Sequence, residues 1–184
     1  MCSVSKGVRW IVCTLAVLLL SGSPSQSRAW LRNGPSVSDY LVINDNRGNG
    51  EIVMIFWIAS PLVPASSQAA RELLDKYLVI GVVHAHAGKD GTFAFDRPTA
   101  LDVQGAQDET LQSLDMETMP PAVVGALATI KSTFSRSLGA FGNGMQLFVF
   151  AGGSVHACSK GSMAVLFANE KYTYVTPVPG CPAA

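Results

Sequence analysis

The chain has 184 residues, 48% of them hydrophobic and 14% charged, with 13 basic residues balanced by 13 acidic ones. That composition is too apolar and too sparsely charged for a disordered chain. Its scattered charges leave no basic footprint for nucleic acid or anionic lipid.

Residues 1–29 read as a secretory signal. Lys6 and Arg9 give a positive start, Ile11 to Leu20 is a nearly unbroken apolar run, and Ser27-Arg28-Ala29 puts small residues at the two positions a signal peptidase reads. The run is about half of the ~20 residues a membrane-spanning helix needs, so no stable membrane insertion is expected after cleavage. Trp10-Ile11-Val12 lacks the small residue that a lipoprotein site wants before its cysteine, here Cys13. Removing 29 of 184 residues leaves 155, the length of one domain (30–184). Lys6, Arg9 and Arg28 leave with the leader and no acid does, so ten basic residues face 13 acidic ones, a net charge of −3. Cys2 and Cys13 leave as well. Cys158 and Cys181 are then the only two cysteines, and in an exported chain they are expected to form a disulfide. The implied location is periplasmic or extracellular.

Trp30 to Ser38 is polar, contains Gly34-Pro35 and reads as an extended arm. Tyr40–Ile43 and Ile52–Ala59 flank an Asn/Gly-rich turn and predict a β-hairpin. Ile52 to Ile58 is apolar at every position, the pattern of a strand covered on both faces and therefore central. Pro64 to Ser67 predicts a helix start. Ala70, Leu73, Leu74 and Tyr77 follow at helical spacing, and the helix must end near Lys76 because Tyr77–Val83 is a continuous β-type run. Gly88–Gly91 is a second hairpin turn and Thr92–Phe95 its returning arm.

Between Arg97 and Met119 the pattern is weak; Leu101 and Val103 suggest a strand and Gln107–Leu114 a short helix. Pro120-Pro121 opens a longer helix whose face is Val123, Leu127, Ile130, Phe134 and Leu138, with Gly139 as its cap. Leu147–Ala151, Ser154–Cys158, Met163–Phe167 and Tyr172–Thr176 read as consecutive strands, with Gly152-Gly153 as a hairpin turn. Val-His-Ala occurs at 83–85 and again at 155–157, and chance explains the echo better than a duplicated unit does. The expected fold class is α+β. It is a single domain, with a mainly antiparallel sheet built from hairpins and two amphipathic helices packed on one face.

Three constellations carry chemistry. His84 and His86 stand two apart near a strand end, so alternation puts both on one face. Such a pair offers two imidazole nitrogens to Zn²⁺ or Cu²⁺, with His156, or Asp96 across the hairpin, as a third ligand. Gly152-Gly153-Ser154 resembles part of a nucleophile elbow, but the motif's final glycine is replaced by His156 and strand, not helix, should follow. Glu51, Asp75, Asp96, Asp102 and Glu170 are isolated acids, and the sequence cannot pair them as a glycosidase needs.

The resulting expectation is an exported, non-catalytic globular protein with a binding or structural role, in which an exposed sheet edge can accept a protein partner. A metal-binding protein or metal-dependent enzyme built on the His-x-His pair is the first alternative, and a serine hydrolase the second.

Overall fold

The strand that is apolar at every position lies inside the fold, with a layer packed on each of its faces. A computed structural model describes residues 40–44, 50–115 and 117–181. The predicted leader (1–29), the arm after it and residues 45–49 of the first hairpin turn lie outside the described residues. Those described belong to one compact unit, Asn33–Ala184.

The main sheet is antiparallel throughout. Strand β1 (Leu41–Asn44) pairs with β2 (Glu51–Ile58), and β2 pairs with β3 (Tyr77–Ala87). The far side of β3 is shared: β4 (Phe93–Asp96) takes its second half and β6 (Gln146–Ala151) its first. A smaller sheet contains β5 (Asp102–Gln104), β7 (Gly161–Phe167) and β8 (Glu170–Thr176), with β7 in the middle. Helix α1 (Gln68–Lys76) follows a 3-10 turn at Ser60–Leu62, and α2 (Pro121–Leu138) is followed by the short α3 (Ala140–Gly144).

Alternation along β2 and β3 sorts the core into two layers. Val53, Ile55 and Trp57 from β2, with Ile80 and Val82 from β3, meet Val103, Met163, Val165 and Tyr174 of the small sheet. Phe56, Ile58, Val79 and Val83 point the other way and meet Leu74 of α1 and Val123 and Leu127 of α2. The order is helices, large sheet, small sheet, so the α+β class holds. The face opposite the helices, for which the sequence named no covering layer, carries a second sheet. Trp57 and Tyr174 meet edge to face at 5.8 Å across that interface. The buried Tyr174 hydroxyl donates to the Ile55 carbonyl at 2.8 Å, and burial pushes its phenol well above the ordinary tyrosine range.

The α2 stripe is the one the spacing predicts, with Val123 and Leu127 buried and Ile130, Phe134 and Leu138 packed against them. Gly139 ends the helix at φ 57°. A Cβ at Gly142 would lie 2.0 Å from the Phe134 carbonyl oxygen, so only glycine lets α3 fold back on α2.

Three local expectations fail. Gln107–Leu114 is not a helix. Its backbone makes bridges from Thr110 to Gln104 and from Ser113 to Phe150, so non-local pairing overrides the local pattern. Ser154–Cys158 is loop, not strand, which also removes any duplicated Val-His-Ala unit. Gly152-Gly153 is not a hairpin turn, because β6 belongs to the large sheet and β7 to the small one. The Gly152 N–H donates to the Lys76 carbonyl, and a Cβ there would lie 2.6 Å from that oxygen. The chain crosses the α1–β3 junction at close range and then changes layer.

That loop is tied to the tail. Cys158 and Cys181 form the predicted disulfide, 23 residues apart in sequence, with Cα atoms 5.3 Å apart. The Val178 N–H donates to the Ala157 carbonyl and the Tyr40 hydroxyl to the Pro179 carbonyl. A cleft of about 520 Å³ lies on the helix side, between α1, α2 and β2. Phe56, Leu73, Ile130 and Phe134 are among its walls, and Ser67, Thr129 and Thr133 bring its hydroxyls. Among the described residues no helix is long and apolar enough to cross a membrane.

Candidate metal centre

The last half of β3 is flanked by β2 on one side and β4 on the other. The register sets His86 opposite Glu51 and His84 opposite Asp96. Residues paired across antiparallel strands share a face, so four titratable side chains from three strands meet on the face that carries Ile80 and Val82. The small sheet packs on the same face, and β7 ends beside the histidines at Phe167. There the Phe167 ring stands edge-on to His84, with centroids 5.4 Å apart.

His84 is held from both sides. Its Nε2 lies 2.7 Å from Glu51 Oε1 and its Nδ1 lies 3.1 Å from Asp96 Oδ2. Asp96 Oδ2 is also 2.9 Å from His86 Nε2. A carboxylate that accepts from one ring nitrogen fixes the tautomer, since the proton resides on that nitrogen and the other keeps its lone pair. Where Nε2 donates to Glu51, His84 Nδ1 keeps a lone pair that faces Asp96, an arrangement of two electron-pair donors able to hold a cation.

The spacing suits a metal. One donor atom from each of His84, His86 and Asp96 lies within 4.8 Å of the others. Tetrahedral zinc with bonds of about 2.0–2.1 Å separates its donors by about 3.3–3.5 Å. To match that spacing the 2.9 and 3.1 Å contacts of Asp96 Oδ2 would open by a few tenths of an ångström, and the two histidine nitrogens already lie within 4.8 Å of each other. Two imidazoles and a carboxylate suit Zn²⁺ or Cu²⁺. Exposure rises across the group: the Glu51 and His84 side chains are 12% and 17% exposed, those of His86 and Asp96 42% and 52%.

The histidine pair therefore stands as the spacing predicts, and of the two candidate third ligands the fold brings up Asp96. It does not bring up His156. That side chain is exposed on the β6–β7 loop and borders a shallow hollow with Asp75 and Tyr77. Tyr77 opens β3, seven residues before His84, which is about 23 Å along a strand. Glu51 was visible only as an isolated acid. Asp96 follows from the hairpin turn, but β2 and β3 are joined through α1, so no turn fixes their register.

Ser154 has other work. Its hydroxyl donates to a Glu109 carboxylate oxygen and accepts from the Ala106 N–H. The Ser154 hydroxyl, followed by the Gln107 N–H, holds the Glu109 carboxyl below its usual pKa. Among the described residues no hydrogen bond joins Ser154 to a histidine. Of the remaining acids, Asp75 accepts from the Ser60 hydroxyl and Glu170 from the Asn44 amide.

The chain matches no protein-family model, and neither a curated protein nor a solved structure is significantly similar to it.

Proposed function

We propose that this is an exported binding protein whose ligand is a divalent transition metal, Zn²⁺ or Cu²⁺, held by His84 Nδ1, His86 Nε2 and Asp96 and oriented by Glu51. The observation that carries the reading is the convergence of three ligand atoms within 4.8 Å on the exposed end of one sheet face. The hydrogen bond from His84 to a more buried carboxylate adds to it, because metal-binding histidines usually have such a partner. Export is supported by the leader-like pattern of residues 1–29 and by the disulfide, which persists in oxidising compartments. A binding role, rather than hydrolysis at Ser154, is supported by the engagement of that hydroxyl with Glu109.

The test is metal content. Purified protein dialysed against Zn²⁺ or Cu²⁺ should retain about one ion per chain, and the double variant His84→Ala, His86→Ala should retain none while keeping its far-UV circular dichroism. Wild-type protein that stays metal-free, with thermal stability unchanged by metal or chelator, ends this reading.

A further inference from the structure

We infer that the metal keeps one coordination position open on its solvent side and that an exogenous donor, a small anion or an imidazole, occupies it; the inference rests on the metal reading above. Among the described residues the ligand group consists of three side chains. Glu51 does not add a fourth donor, because its oxygen sits on the Nε2 edge of the His84 ring while the metal lies at Nδ1. The Phe167 ring, edge-on to His84, offers no ligand atom. Glu170 leaves the nearby β7–β8 turn toward Asn44 and is engaged there. His156 is at the other end of β3. The two outer ligands, His86 and Asp96, are about half exposed, so a fourth coordination position on their side would face water.

Sites with three protein ligands and one open position exchange that position readily, whereas structural zinc sites are closed by four protein ligands. An incoming imidazole or anion can therefore bond to the metal before any protein ligand leaves. This is the order of events needed to accept a metal from one chelator and release it to another. No redox change is involved: water leaves, the new donor enters, and the charge on the metal stays the same.

Cobalt(II) reads this directly, since its visible bands report coordination number and donor type. The protein loaded with one Co²⁺ should show a band shift on titration with azide and a different shift with imidazole. Both should saturate at one equivalent bound and reverse on dialysis, with the far-UV circular dichroism unchanged. If Co²⁺ binds at one per chain but its spectrum ignores both probes, a further protein group closes the shell and the open position is refuted while the metal reading stands. If Co²⁺, Zn²⁺ and Cu²⁺ all fail to bind, the metal reading falls and this inference falls with it.

Discussion

Glu51 would give no donor atom to the metal, yet replacing it should weaken metal binding measurably. Its carboxylate accepts from His84 Nε2 at 2.7 Å and is 12% exposed. In Glu51→Gln the amide oxygen still accepts that hydrogen bond, so the ring stays in place and only the charge is removed. A divalent ion on Nδ1 would lie about 6 Å from that carboxylate, given bonds of about 2 Å. Coulomb's law then gives about 1.4 kcal/mol with bulk-water screening and about 5.5 kcal/mol at an effective dielectric constant near 20. Half-exposed His86 and Asp96 let water into the site, which places the effect near the lower end, at about 1.5–2.5 kcal/mol. That corresponds to a loss of about 10- to 100-fold in affinity, the range found for other carboxylates that support metal-bound histidines. The assay is competition for Zn²⁺ with a chromophoric chelator. Glu72→Gln, an exposed charge on α1 paired with Gln68, serves as the control for bulk electrostatics and should stay within about twofold of wild type. A Glu51→Gln affinity equal to wild type, or a Glu72→Gln loss as large, would refute the reasoning.

Two predictions concern stability. Cys158→Ser with Cys181→Ser opens a loop of 23 residues' separation and should cost about 3 kcal/mol on the chain-entropy argument, read from the urea midpoint under non-reducing conditions; an unchanged midpoint would mean that the tail is held by its hydrogen bonds alone. Burial raises the Tyr174 phenol pKa, so its contribution is fully present below the unfolded value near 10 and is lost as pH rises through the higher folded value. Wild-type stability should therefore fall in alkali above about pH 10, and Tyr174→Phe should flatten that fall while costing about 1 kcal/mol at neutral pH for the lost bond to Ile55. Identical alkaline slopes in the two proteins would contradict the assignment.

Legibility in the sequence followed the range of the interactions involved. The central place of Ile52–Ile58 was readable because burial on both faces removes polar residues from a strand. The α2 stripe and the β3–β4 hairpin were readable because each is local, and the hairpin put Asp96 opposite His84. Glu51 was not, since its pairing with β3 is set by packing across α1. The separation of β6 from β7 was hidden for a similar reason: Val149 and Phe150 serve two different core layers, and nothing in the residues between them and Gly161 says that the chain changes sheet. The disulfide needed only a count and a compartment.

The shared flank of β3 carries a further consequence. β4 has four residues, pairs only with β3 and leaves three of the four exposed, so little burial holds it. Asp96 is its final residue. An ion gripping Asp96 and two side chains of β3 would rivet this short ribbon at its open end, raising the free energy of local fraying without touching the core. Amide protons of residues 93–96 would then be the reporters of occupancy, slowing their exchange with solvent deuterium while those of β2 and α2 keep their rates.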